Sequence, residues 1–259
     1  MEYTYRIARD TAPDAFIIGN LGAPQISKEY GIKEIKQAIK MIQADALAIH
    51  LNTLQECLQN EGEPVYKGII NGLQNIKKEI KIPLIVKETG AGIAKEDIIL
   101  LKNIGIDAID ISGVGGTSWA AVEYYRSKDK TKNLPEITKT YWDWGIPTAV
   151  ATIEASTADV NLISSGGIRS GLDIAKAIAI GADLVGISLP FLKAAYQDDY
   201  KTLQELMKKF IKELKIAMFL TKSKNLTALK NSNLIISGNT KEWIETRGIS
   251  VKTYSNRSK

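Results

Sequence analysis

Chemistry-bearing residues concentrate first in two strand ends that follow one another closely. These are Asn161-Leu-Ile-Ser-Ser-Gly-Gly-Ile-Arg-Ser-Gly171 and, after a helical segment, Leu184-Val-Gly-Ile-Ser188. In each, a short apolar run gives way to Gly and Ser, and a helix begins. Gly166 and Gly167 carry no Cβ, so the backbone there can approach a ligand closely. Free N–H groups at a helix start, helped by the helix dipole, favour an anion. The spacing predicts a phosphate cradle, with Arg169 beside it, like the loops after strands 7 and 8 of a (β/α)8 barrel. A lone Gly-Gly is more often only a tight turn. The second loop at the right distance moves the balance to phosphate.

Four earlier strand ends also carry hydrogen-bonding groups beside glycines. They read Gly19-Asn20-Leu-Gly22, His50-Leu-Asn52-Thr-Leu-Gln55-Glu56, Lys87-Glu-Thr-Gly-Ala-Gly92 and Ser112-Gly-Val-Gly-Gly-Thr117-Ser118. In a barrel, chemistry sits at the C-terminal ends of strands. His50 is the only histidine, and on its own it is as often structural as functional. Asn52, two residues on, points the same way if the chain is extended. Glu56 offers a carboxylate to a hard divalent cation, with waters and a substrate phosphate completing the octahedron. Gln55 by itself reads as a loop polar residue. Lys87 ends an otherwise apolar strand, where a cation must neutralise something. An electron-rich cofactor ring is a candidate, since a nearby charge tunes such a ring. The glycines between Ser112 and Thr117 would let it lie against the backbone.

Six strand-then-helix units must position these residues. The expected strands are Ala15–Gly19, Ala46–His50, Pro83–Lys87, Ala108–Ser112, the run ending at Ser164, and Leu184–Ser188. Helices are expected over about 28–43, 66–80, 95–104, 141–155, 173–180 and 189–196. Between the fourth strand and its helix lies a long loop, 113–140, lysine-rich over 126–132. Beyond Ser188 the chain reads as helical, with a long amphipathic helix over 200–219, a shorter one over 240–247 and a frayed tail over 252–259. Apolar strands alternating with amphipathic helices predict an α/β fold with a parallel sheet. The expected domain is single, with barrel units over 12–197 and a helical extension over 198–250. If the phosphate loops follow strands 7 and 8, four strands precede them where a closed barrel has six. The favoured reading is a truncated barrel of about six units, with Met1–Thr11 the end of a helix, and the alternative is a six-unit sheet that never closes into a barrel.

At 259 residues one large domain is the natural expectation. A net charge of +5 is spread over helix faces such as Lys33, Lys36 and Lys40, which argues against nucleic acid as a partner. Cys57 is the only cysteine, so no internal disulfide is possible. No signal peptide and no membrane span are read, and the chain is expected to be cytoplasmic.

Taken together, four motifs resemble a known family. His50-Leu-Asn-Thr-Leu-Gln-Glu56, Val86-Lys-Glu-Thr-Gly90, Asp110-Ile-Ser-Gly-Val-Gly-Gly-Thr-Ser118 and Ser165-Gly-Gly-Ile-Arg-Ser-Gly171 are similar to type 2 isopentenyl-diphosphate δ-isomerase, the FMN-dependent form, in its archaeal members. The resemblance implies a (β/α)8 barrel that interconverts isopentenyl and dimethylallyl diphosphate by protonation and deprotonation at reduced FMN. The resemblance also implies a requirement for Mg²⁺ and reduction of the flavin by NADPH. By position, Gly166, Gly167, Ile168 and Arg169 with Ser188 and Leu189 would hold the FMN phosphate. Asn20, Lys87, Ser112 and Thr117 would hold the rest of FMN. Glu56 would bind Mg²⁺, Gln55 would contact the substrate near its alkene, and His50 and Asn52 would line the same pocket. The family also implies a homo-oligomer, tetramer or octamer. Its Arg-Lys-x-x-His segment, Met-Thr-Gly-Gly strand and Gly-Ser-Gln loop have no counterpart in this sequence.

Other FMN barrels share the phosphate loops. An α-hydroxy-acid oxidase needs a histidine beside the Gly-Gly-Arg loop, and none stands there. An IMP-dehydrogenase-like enzyme needs a nucleophilic cysteine in the long loop, whereas Cys57 directly follows Glu56. From a different class, a non-catalytic or split form would bind flavin weakly or only with a partner that supplies strands.

Overall fold

The structure, a computed structural model, describes residues 2–28, 30–62, 64–127, 134–197 and 200–257. The described residues contain six strands, four in a first unit and two in a second, and within each unit neighbouring strands follow chain order. Each registered pair of neighbours is parallel. This is the α/β architecture expected from the alternation of apolar strands and helices. The chain groups into two compact units, one of Met1–Thr89, Glu96–Asp110 and Trp119–Trp142, the other of Gly90–Lys95, Ile111–Ser118 and Asp143–Lys259.

The first unit runs α1 (Glu2–Thr11), β1 (Ile18–Gly22), α2 (Ala23–Lys28), α3 (Ile32–Ile42), β2 (Ala46–His50), α4 (Thr53–Leu58), α5 (Ile69–Glu79), β3 (Leu84–Lys87), α6 (Lys95–Asn103), β4 (Ala108–Asp110), α7 (Trp119–Arg126) and α8 (Leu134–Thr140). Leu47, Ile49, Leu84, Val86 and Ile109 from the strands are buried, as are Ile35, Leu73, Ile76 and Ile98 from the helices. Each such side chain contributes about 1.5–3 kcal/mol when fully buried.

Three expectations shift here. The first strand lies three residues later than its apolar residues suggest. Asp45 Oδ2 accepts the Ile17 N–H at 2.8 Å, and Arg9 takes the Ala15 carbonyl at 2.9 Å, so 15–17 stay outside the ladder. Helix α3 starts at Ile32, behind the separate turns of α2. The expected long loop holds two helices, α7 and α8. Ala120 and Glu123 of α7 are buried at helical spacing, but a glutamate on the inner face hid the period. Most of the lysine-rich stretch lies outside the described residues.

The second unit runs α9 (Thr148–Ser156), β5 (Asn161–Ser164), α10 (Gly171–Ala179), β6 (Leu184–Val185), α11 (Leu189–Gln197), α12 (Tyr200–Leu220), α13 (Leu226–Lys230), α14 (Gly238–Thr246) and α15 (Lys252–Ser255). Helix α9 begins at Thr148, not at Tyr141, because Pro147 cannot continue a helix from before it. One buried cluster joins Ile168, Ala175 and Ile178 to Phe210 and Ala217 of α12. A second joins Val150 and Ile153 of α9 to Ile244, Ile249 and Tyr254. The tail expected to fray is held as far as Arg257. Its guanidinium lies 4.4 Å from the centre of the buried Tyr254 ring, and Nη1 donates to Lys230 O at 2.8 Å.

Candidate functional site

In the first unit, β2 and β3 end side by side, with His50 registered against Lys87. The Leu51 N–H donates to Lys87 O at 2.8 Å, and the chain then turns at Asn52, whose φ of 53° and ψ of 35° are left-handed. The shared direction of His50 and Asn52 was conditional on an extended chain, and the chain is not extended at Asn52. It is buried, its Nδ2 donating to Gln55 Oε1 at 2.8 Å and its Oδ1 accepting from Thr89 Oγ1 at 2.6 Å. Gln55 Nε2 in turn donates to Glu123 Oε1 at 2.6 Å. Arg126 Nη1 donates to the same oxygen at 2.9 Å, and its Nη2 reaches Glu61 at 2.7 Å. Trp119 Nε1 closes the group by donating to Thr89 O at 2.6 Å. A carboxylate can only accept, so Glu123 dictates which way the Gln55 amide faces, and Gln55 dictates the same for Asn52.

Glu56 follows on α4, 9% exposed, its Oε2 accepting from Gln59 Nε2 at 3.0 Å. No group of three or more His, Cys, Asp or Glu that could hold a metal exists among the described residues. A single carboxylate fits Mg²⁺ in one mode only, with waters and phosphate oxygens supplying the other ligands.

His50 is half-buried, and its Nδ1 lies 3.3 Å from Asn20 Oδ1. Burial depresses the imidazole pKa, the Lys87 cation depresses it further, and Glu56 opposes both. Asn20 itself sits within β1, opposite Ala48, rather than in the loop after it. It also borders a cavity of about 410 Å³ with Tyr5, Tyr30, Gln37 and Met41. Lys87 Nζ donates to Glu88 O at 2.8 Å. Burial lowers its pKa while the Asp110 and Glu88 carboxylates raise it. Part of the negative charge expected opposite Lys87 therefore comes from the protein.

In the second unit the glycine loops pack backbone to backbone. A Cβ on Gly166 (φ 101°) would stand 2.1 Å from Gly113 O, and one on Gly167 (φ 81°) 2.2 Å from Gly115 O. Gly113 N–H donates to Ser165 O at 3.0 Å, and Thr148 Oγ1 donates to Gly166 O at 2.7 Å. Ser112 precedes this contact in the left-handed region, at φ 33°. Thr117 is exposed.

The expected cradle needs one correction. The start of α10 is closed by the protein's own groups: Asp173 Oδ2 accepts from Arg169 N–H at 3.0 Å, Ser170 Oγ from Asp173 N–H at 3.1 Å, and Glu213 Oε2 from Gly171 N–H at 2.7 Å. Among the described residues the N–H groups of Gly166, Gly167 and Ile168 donate to no protein acceptor. An anion would find those amides and the first turn of α11, beside the exposed Ser188. The Arg169 side chain is exposed, its Nη1 donating to Ile168 O at 2.9 Å.

Sequence reasoning missed Glu88, Thr89, Trp119, Glu123, Arg126 and Thr148. Pro147 signalled a helix start at Thr148. The Glu123 and Arg126 pair at i, i+3 was a weaker signal for α7.

Parallel βα units with glycine loops at the C-terminal strand ends define the class of protein. Similarity narrows it. Residues 67–236 match the family described as FMN-dependent dehydrogenase. Proteins named isopentenyl-diphosphate delta-isomerase are 49% identical over 92% of this chain in Pyrococcus horikoshii and 48% over 96% in Ignicoccus hospitalis. The chain belongs to the FMN-dependent dehydrogenase family and, within it, groups with the proteins named isopentenyl-diphosphate delta-isomerase. It spans 65% of the length of the Pyrococcus relative and 69% of the Ignicoccus one. The fold matches that of inosine 5' monophosphate dehydrogenase from Legionella pneumophila, with a TM-score of 0.60 at 15% identity over 92% of this chain and 78% of that one.

Proposed function

We propose that this chain interconverts isopentenyl and dimethylallyl diphosphate with FMN, Mg²⁺ and, as the reductant, NADPH. The observation that carries this is the polar chain from Thr89 through Asn52 and Gln55 to Glu123, which fixes Gln55 beside Glu56 on one short helix. A surface loop needs no such buried network. The residues fit FMN in two places. The amides of Gly166, Gly167 and Ile168 and the α11 start, with Arg169, Ser188 and Leu189, suit its phosphate. Lys87 with Asn20, Ser112 and Thr117 would hold the remainder.

When bound, reduced FMN supplies the proton that moves to and from the alkene. Lys87 would hold positive charge at the end of β3 and favour an anionic ring. Glu56 would hold Mg²⁺ against the diphosphate, and Gln55 would orient the alkene. His50, kept towards neutral by burial and by Lys87, would offer a hydrogen bond to the substrate, while Asn52, buried and bonded to Gln55 and Thr89, would hold Gln55 in place. On this reading the protein is a cytoplasmic homo-oligomer, tetramer or octamer, and no described helix is long and apolar enough to cross a membrane.

The test is conversion of isopentenyl diphosphate by the purified protein with FMN, NADPH and Mg²⁺. Turnover that stops on chelation, and that in Glu56→Gln is lost or needs more Mg²⁺, is expected. Absence of turnover under these conditions rejects isomerase activity for this chain. A normal Mg²⁺ response in Glu56→Gln removes Glu56 from the metal site.

A further inference from the structure

Glu88 stands one residue beyond β3 and has no role in the chemistry above. It is 4% exposed. A carboxylate buried that deeply is costly unless its hydrogen bonds repay the lost water. Its Oε2 accepts the Asn52 N–H at 3.0 Å, and the Thr89 N–H is a second backbone donor to it. Burial nevertheless outweighs both bonds and pushes its pKa up to about 7.

What these bonds hold is the turn that starts α4. Asn52 is in the left-handed region, a turn conformation that asparagine accepts more readily than most residues, and it is this turn that sets the direction of α4. Helix α4 is six residues long, too short to set its own direction, and it carries both Gln55 and Glu56. The Asn52 side chain is already spent on Gln55 and Thr89, which leaves its N–H to anchor the backbone. That N–H goes to Glu88.

We propose that Glu88 is a positioning residue, its carboxylate pinning the left-handed Asn52 turn and thereby fixing how α4 presents Gln55 and Glu56. This rests on the reading of Gln55 and Glu56 as substrate and Mg²⁺ residues. Glutamine at this position keeps an oxygen for the Asn52 N–H, whereas alanine does not.

The test compares Glu88→Gln and Glu88→Ala with the unaltered full chain, using two readouts. The first is the Mg²⁺ concentration for half-maximal isomerase rate. It should stay within about twofold in Glu88→Gln and rise by about tenfold or more in Glu88→Ala, the loss of one charge-assisted hydrogen bond. The rate at saturating Mg²⁺ and FMN retention should change less. The second is hydrogen exchange at the Asn52 amide, which needs no activity. Exchange should stay slow in Glu88→Gln and quicken by about tenfold or more in Glu88→Ala. Equal exchange in all three proteins overturns the proposal, as does an unchanged Mg²⁺ response in Glu88→Ala. If the unaltered protein shows no turnover while the exchange pattern holds, the isomerase reading fails and the role of Glu88 in the turn stands. Should Glu88→Ala not fold, Glu88→Asp, one methylene short, is expected to move both readouts the same way by less.

Discussion

At the scale of single residues, the site depends on a few buried polar groups that each have a partner. Glu123 is the acceptor on which the Gln55 amide and the Arg126 guanidinium converge. Glu123→Ala leaves the buried Gln55 Nε2 without that acceptor and should destabilise the protein by about 1–3 kcal/mol. Denaturant unfolding measures this, and a loss below about 0.5 kcal/mol would contradict it. Glu88 adds a pH dependence of known sign. Its folded pKa of about 7 exceeds the ordinary 4.5, so the folded state holds its proton more tightly than the unfolded chain. Stability from this group is fully present below about 4.5 and is lost as pH rises through about 7, on the order of 3 kcal/mol in all. Between about pH 5 and 8 the unaltered protein should weaken more than Glu88→Gln, and parallel losses would refute the assignment. Gln55 and Glu56 were marked out in the sequence as site candidates because they sit in a specific string. Glu88 and Glu123 were not, because a glutamate among lysines and threonines looks like surface until burial is seen.

At the scale of elements, most strands were legible to within a residue or two, because buried parallel strands are unbroken apolar runs. The exceptions were β1, where Gly19 and Gly22 dilute the run and the Arg9 and Asp45 contacts move the ladder forward, and β6, expected to run to Ser188 but ending at Val185, just before Gly186. Helices with a polar or small inner face, such as α7, were hidden for the opposite reason. The glycine loops were legible as a motif but not in their mechanics, since their missing Cβ atoms serve loop-to-loop packing as much as access to a ligand. Two substitutions separate these effects. Gly105→Ala meets only the strain of φ 83°, with nothing within 4 Å, and should cost about 1 kcal/mol. Gly167→Ala adds a collision with the Gly115 backbone and should cost roughly 2–4 kcal/mol. Equal unfolding midpoints for the two would show that the loops are not packed as described.

At the scale of the whole molecule, the fold class was legible from the alternation of strands and helices, and membership of the family follows from similarity along most of the chain. The grouping into two compact units was not legible, because no linker or change of composition marks it. FMN binding by this chain is the claim on which its proposed chemistry depends, and it can be measured without any catalytic step. Purified protein should be titrated with FMN and its flavin absorbance read after removal of free ligand, alongside Lys87→Ala. Retention of about one FMN per chain is expected, with affinity weaker by about tenfold or more in Lys87→Ala, as when one charged hydrogen bond is lost. Failure to retain flavin, or identical retention by Lys87→Ala, would contradict it.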